Sequence, residues 1–171
     1  MKKFGILFIV LVGIATTSFG QVGANANANA SATIVGSLTI TKTVDMKFGQ
    51  MTSPSAPETV VLTPAGTATG SGTIALIAGS PVSAAAYDVA GTEGATYAIT
   101  LPADGVVTLA GVGAPMNVDT FTSSKPGNVS TLGVAVAGIN DSFTVGATLH
   151  VATGQAQGVY TGTFNVAIAY N

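Results

Sequence analysis

The chain has 171 residues, of which 47% are hydrophobic and only 7% are charged, and it contains neither cysteine nor arginine. This length is sufficient for one domain with a hydrophobic core, and the hydrophobic content argues against disorder. The absence of cysteine excludes disulfides, thiol catalysis and cysteine-based zinc sites. The net charge of −2 argues against partners that are nucleic acids or anionic membrane surfaces.

The first residues predict a secretory signal peptide. Lys2 and Lys3 precede an apolar run over residues 4–14, and the small residues Ser18 and Gly20 follow it. The run is too short to span a bilayer, which needs about 20 apolar residues. We therefore expect residues 1–20 to be cleaved on export to the periplasm or cell surface, with no membrane span left. The mature chain would carry three lysines and seven carboxylates, a net charge of −4.

Residues 21–31 form a low-complexity arm in which alanine and asparagine alternate, and the same phase continues through Ala32 and Ile34. Strict alternation is typical of a β-strand. Because the inward side chains are almost all alanines, the arm has little apolar area to hold it against a core, and we expect it to be flexible in isolation. It is a candidate donor strand for another chain, with the inward residues Ala26, Ala28, Ala30, Ala32 and Ile34.

The remaining residues, 32–171, predict one domain of many short strands. Apolar residues alternate over short stretches that are separated by glycine and proline turns. These stretches lie at residues 38–41, 44–48, 59–62, 72–77, 87–89, 97–101, 107–109, 116–118 and 134–136. No window predicts a long amphipathic helix. The pattern predicts an all-β, immunoglobulin-like sandwich of roughly 7 to 10 short antiparallel strands.

The last quarter of the chain carries the clearest strand signals. Residues 143–151 alternate, a glycine-rich loop at residues 152–158 reverses the chain, and residues 160–170 alternate again. We expect two long antiparallel strands here, each with one buried face.

No set of residues predicts catalysis, and we expect a protein that is not an enzyme and holds no cofactor or metal. His150 is the single histidine, and the strand phase points it outward, so a Ser-His-Asp triad has no support. Calcium remains an alternative for carboxylates in or near predicted loops, but these are scattered singly and are more typical of solvated loops. They are Asp88, Glu93, Asp104, Asp119 and Asp141.

Two segments near the start of the domain are ATIVGSLTITK at residues 32–42 and MKFG at residues 46–49, and two near its end are FTVGATL at residues 143–149 and GVYTGTF at residues 158–164. These segments resemble the secreted bacterial family called domain of unknown function 4402. The family name implies no activity. The family is similar to spore coat protein U domains and to fimbrial subunits, although spore coat U domains usually carry cysteines and this chain has none.

The C-terminal strand also resembles that of subunits of chaperone–usher pili. Tyr170 is a penultimate aromatic residue, and Gly158 is fourteenth from the C-terminus. The resemblance implies a strand that a periplasmic chaperone grips, and an incomplete sandwich that the N-terminal extension of another subunit completes. The assembly strand would comprise Gly158, Tyr160, Gly162, Phe164, Val166, Ile168 and Tyr170.

Two functional hypotheses follow. The first is a secreted structural subunit of a pilus or surface layer, with itself or chaperone–usher proteins as partners, which predicts an open edge or groove. The alternative is a self-contained secreted sandwich that binds or adheres through its loops, which predicts a closed core. The absence of tryptophan and the placement of the four tyrosines in strand phase argue against sugar stacking by exposed aromatic rings.

Overall fold

The computed structural model describes residues 23–171, so the predicted signal peptide at residues 1–20 lies outside the described residues. The fold is carried by the compact unit Ile34–Asn171. Residues 23–33, which include the described part of the arm, have exposed side chains and no regular secondary structure.

The compact unit consists of short β-strands with a single 3-10 turn, η1, at Pro126–Asn128. The strands are β1 Thr39–Val44, β2 Lys47–Phe48, β3 Glu58–Leu62, β4 Ala68–Gly70, β5 Val82–Ser83, β6 Ala85–Ala90, β7 Thr96–Thr100, β8 Val107–Leu109, β9 Met116–Ser123, β10 Val129–Thr131, β11 Asp141–Val151 and β12 Ala167–Tyr170. Every pairing between them is antiparallel.

The larger sheet is organised around the long strand β11. The first half of β11 pairs with β6 and the second half with β3, while β9 pairs with residues Val145–Leu149 of β11. Because β9 overlaps both halves, it must occupy the opposite edge of β11. The sheet continues from β6 to β1, from β3 to β4, and from β9 to β8. These branches curl the sheet.

A second sheet has the order β10-β7-β12, and β2 and β5 form a small two-stranded sheet. The alternating pattern of the sequence becomes a buried face on each long strand: Ala85, Tyr87 and Val89 are buried on β6, and Tyr97 and Ile99 on β7. Two apolar clusters form the core. One surrounds Leu62, Val118 and Leu149, and the other surrounds Val89, Tyr97 and Val145. The protein is therefore all-β and antiparallel with a sandwich-like architecture, as the sequence predicts.

The predicted strand at residues 160–170 is only partly confirmed. The ladder is restricted to β12, at Ala167–Tyr170, and it pairs with β7. Strand β11 matches the strand predicted at residues 143–151. It does not pair with β12, however, because the two strands belong to different sheets. The chain therefore crosses from one sheet to the other between β11 and β12, over residues 152–166.

Two other stretches with strand-like patterns do not form regular strands. Near residues 72–77, the amides of Thr73 and Ile74 donate to the carboxylate of Glu58, so these donors are not available to a ladder. At residues 134–136, the chain enters a tight reversal instead. Ala137 and Gly138 have positive φ, and Val136 forms a bridge with Ile139. Local turn geometry overrides the alternating pattern at both places.

Within residues 23–171, the structure contains no helix of the length and apolar character that a membrane crossing needs.

Candidate functional site

An apolar groove of about 920 Å³ lies between two extended segments of the compact unit. The first rim is residues 45–53, which contain β2. The second rim is residues 155–164, which precede β12. Both rims lie beside the apolar cluster that contains Leu149, and the groove is open to solvent between them.

The first rim is hydrogen-bonded on its outer edge. Met51 forms a bridge with Leu76, in which the amide of Thr52 donates to Ala75 and the amide of Ile77 donates to Gln50. In an antiparallel ladder the backbone groups of successive residues point to opposite sides. The N–H and C=O of Met51 therefore point away from Leu76, and among the described residues they have no hydrogen-bond partner.

The second rim has the same property. Thr161 and Ala110 exchange both of their backbone hydrogen bonds at 2.8 Å. The backbone groups of the neighbouring residues Tyr160 and Gly162 consequently point away from Ala110, and within residues 23–171 nothing bonds to them. The backbone of Phe164 is also without a partner in this part of the chain. Each rim thus presents unused donors and acceptors, as an edge strand does.

The floor of the groove is apolar. It is formed by side chains of β8, β9 and β11 that belong to one core cluster. They are Val107, Leu109, Met116, Val118, Leu149 and Val151. The partly buried side chains of Met46, Met51, Tyr160 and Phe164 lie against this cluster from the rims. A chain segment that entered the groove would meet apolar side chains below and free backbone groups at its sides.

The seven residues of the predicted assembly strand divide between two places. Gly158, Tyr160, Gly162 and Phe164 line the groove. Val166, Ile168 and Tyr170 instead pack in the cluster beneath β6 and β7. Gly162 nevertheless faces inward as predicted, since a Cβ atom on it would overlap the carbonyl oxygen of Thr108.

The predicted donor residues Ala26, Ala28, Ala30 and Ala32 lie in the exposed arm, and Ile34 is the first residue of the compact unit. The arm ends where the chain is attached to the body at Gly36. The Gly36 amide donates to the hydroxyl of Thr92 at 2.6 Å, and the Gly36 carbonyl accepts from the hydroxyl of Tyr170 at 3.0 Å. The Tyr170 hydroxyl also accepts from the amide of Thr92. Tyr170 therefore fastens the base of the arm.

Sequence reasoning did not identify the first rim as part of a site. Met46 and Phe48 alternate as a strand does, but the glycine with positive φ at Gly49 and the single bridge at Met51 give the rest of the rim no regular pattern. The pairing of residues 45–53 with residues 75–83 spans a long stretch of chain, and nothing local in the sequence signals it.

The strongest polar cluster lies away from the groove, around Asp141. Its carboxylate accepts from Lys125 at 2.6 Å, from Ser130 at 2.6 Å and from Tyr97 at 2.9 Å. Burial alone would raise the pKa of Asp141, but these hydrogen bonds hold it below its usual value. Burial and the bond to Asp141 raise the pKa of Tyr97 far above its ordinary value. Every member is paired, so the cluster joins strands.

His150 is exposed, as its strand phase predicts, and its Nε2 lies 2.9 Å from Asp119. Among the described residues, no group of three or more histidine or carboxylate side chains is placed to hold a metal ion. Of the five carboxylates expected in or near loops, Asp88 lies within β6, Asp119 lies within β9 and Asp141 is the first residue of β11.

Comparison with known protein families identifies the same family that the sequence resembles. No curated protein and no solved structure matches the chain. The sequence profile of the family described as Domain of unknown function (DUF4402) matches residues 38–170, which include all the strands from β1 to β12. The chain therefore belongs to the DUF4402 family.

Proposed function

We propose that this chain is an exported structural subunit of a pilus-like or surface assembly, and that it joins other subunits by β-strand addition in the groove. The observation that carries the proposal is the pair of rims with unused backbone groups above an apolar floor. Added strands gain affinity from main-chain hydrogen bonds and specificity from alternate side chains that enter pockets. The groove supplies both elements.

The proposed occupant is the arm of a second copy of this chain. Residues 23–33 are exposed and make no hydrogen bonds within the described residues. Their alternation gives a strand with an alanine face and an asparagine face. The alanine face suits the apolar floor, and the asparagine face would remain in water. The subunit would then donate an arm at one place and accept one at another, which is a heterologous contact that forms open filaments.

A proline in the arm tests this proposal without disturbing the subunit. An inserted strand has a rim on each side, so the N–H of every inserted residue is used, and proline has no N–H. Ala30 is exposed and makes no hydrogen bond in the described structure, so Ala30→Pro should leave the melting of the isolated subunit unchanged. Ala30→Ser is the matched control because it retains the N–H and a small side chain.

The measurement is sedimentation velocity of residues 21–171 over a range of concentrations. We expect oligomers for the parent chain and for Ala30→Ser, and monomers for Ala30→Pro. Oligomers that persist unchanged in Ala30→Pro would contradict strand addition by the arm. Monomers in all three forms would leave the alternative, a self-contained secreted module.

A further inference from the structure

We infer that the arm of one subunit enters the groove of the next antiparallel to residues 159–164, in a register that places Val35 of the donor directly opposite Val159 of the acceptor. This inference rests on the proposed function and specifies the interface that it would use. It assigns a role to four exposed β-branched residues that the fold of a single subunit leaves unexplained: Ile34, Val35, Val112 and Val159.

The first argument is the exposed apolar surface at the two places that would meet. Ile34 is 95% exposed and Val35 is 45% exposed, next to the attachment of the chain at Gly36. At the end of the groove, Val159 is 81% exposed and Val112 is 72% exposed. These two valines belong to adjacent loops, because a Cβ atom on Gly158 would lie 2.5 Å from Cγ2 of Val112. Contiguous exposed apolar residues are typical of interaction surfaces.

The second argument is the phase of the backbone groups. Because Thr161 bonds to Ala110 on the other side, the backbone groups that point away from Ala110 and towards the groove are those of the even-numbered residues Tyr160, Gly162 and, by continued alternation, Phe164. The side chains of Tyr160 and Phe164 pack against the apolar cluster of the floor. In an antiparallel pair, directly opposed residues share a face, so the inward residues of the arm must lie opposite these three. Antiparallel pairing that begins with Ile34 opposite Tyr160 then sets Ala32 opposite Gly162 and Ala30 opposite Phe164.

The same register gives the contact on the outer face. The next pair after Ile34 and Tyr160 is Val35, one residue later in the donor, and Val159, one residue earlier in the acceptor. This pair lies beside Val112 of the acceptor. Because Tyr160 would be a hydrogen-bonded position, Val35 and Val159 would form a non-hydrogen-bonded pair, in which side chains approach most closely. The three valines would thus cover one another at the junction between subunits.

Within one subunit Val159 is 81% exposed, so Val35 of the same chain does not cover it. The proposed contact is between two copies.

Cysteine cross-linking tests the register, since the chain has no cysteine of its own. The double variant Val35→Cys with Val159→Cys should form disulfide-linked ladders on a non-reducing gel after mild oxidation, and reductant should return them to monomer. The comparison variant is Val35→Cys with Asn165→Cys, which a parallel arm would bring together. Asn165 is exposed and six residues further along, about 20 Å from Val159 on an extended chain. We expect ladders at least about tenfold less abundant for this variant.

Charge substitution provides a second readout that does not depend on oxidation. Val159→Asp should weaken association at least about tenfold, and adding Val35→Lys should restore it, because opposite charges that face each other across a strand pair attract. Val134→Asp is the control, since Val134 is 70% exposed in the turn after β10, away from the groove lining. Its association should match that of the parent chain.

The outcomes separate this inference from the proposed function. Association that Ala30→Pro abolishes, without the Val35–Val159 cross-link or with ladders from the Asn165 variant instead, would overturn the register and leave strand addition intact. Absence of association in every form would overturn both. A cross-link confined to monomers would contradict a contact between two copies.

Discussion

The hydroxyl of Tyr170 donates a hydrogen bond of 3.0 Å to the carbonyl of Gly36, which lies 134 residues earlier in the chain. The same hydroxyl accepts from the amide of Thr92, so one side chain joins the base of the arm, the turn after β6 and the last strand. Gly91 permits this arrangement, because a Cβ atom there would lie 2.6 Å from the hydroxyl. The penultimate tyrosine therefore holds three segments of a single subunit together.

Removal of that hydroxyl should loosen the base of the arm. Tyr170→Phe leaves the amide of Thr92 and the carbonyl of Gly36 without their partner, and we expect a loss of about 1 kcal/mol in the free energy of unfolding. Urea denaturation measures the loss, and faster hydrogen exchange at the Thr92 amide would locate it. Tyr160→Phe is the matched control. Among the described residues, the hydroxyl that it removes bonds to one group, the carbonyl of Ala156 in an exposed loop, so its effect should be smaller.

The Asp141 cluster should be a major polar contributor to stability. Asp141→Asn removes the charge that faces Lys125 and weakens the bonds from Ser130 and Tyr97, so we expect a loss of about 2 kcal/mol near pH 7. Glu93→Gln is the control, because Glu93 is exposed and makes no hydrogen bond within the described residues. A loss from Asp141→Asn no larger than that from Glu93→Gln would contradict the assignment.

The contribution of Asp141 should also depend on pH. Its pKa is lower in the folded protein than its ordinary value near 3.8, so the folded state favours the ionised form. That stabilisation is complete above the pKa of the unfolded chain, and it is lost as pH falls through the folded pKa. The difference in unfolding free energy between the parent and Asp141→Asn should therefore shrink below about pH 4. Denaturation curves at pH 7, 4 and 3 would show it.

The His150–Asp119 pair should contribute little by comparison. Both side chains are partly exposed, and exposed ion pairs are typically worth less than about 1 kcal/mol. We expect His150→Gln to change the unfolding free energy by no more than about 0.5 kcal/mol at pH 6 in moderate salt. A loss as large as that of Asp141→Asn would show that the pair has a structural role that its exposure does not indicate.

Gly146, the single glycine of β11, should not tolerate a side chain. A Cβ atom there would overlap the carbonyl of Leu62 and lie 2.6 Å from the carbonyl carbon of Thr63, and neither backbone group can rotate away. We expect Gly146→Ala to lower the unfolding free energy by about 2 to 4 kcal/mol, measured by thermal or urea denaturation. Gly133→Ala should be nearly neutral, because its nearest neighbour is the Asn140 carbonyl at 3.4 Å.

The strands with period-two burial could be predicted from sequence because alternation directly encodes which side faces the core. Tyr87 with Val89, Tyr97 with Ile99, and the whole of β11 are found on the predicted faces. Which strands pair with one another could not be predicted in the same way. Residues 160–164 alternate as well as β12 does, yet only β12 has a full ladder, because pairing depends on which distant segment lies alongside. The groove exists because of that difference.

The position of β11 in the chain has a consequence for how the protein folds. β3 and β6 are complete by residue 90, but both pair with a strand that ends at Val151. Such non-local contacts require large loops to close before any ladder energy is gained, so folding should take milliseconds to seconds. A chain that emerges N-terminus first therefore keeps its early strands unsatisfied until nearly the whole polypeptide has arrived, and in that interval it is most prone to aggregate.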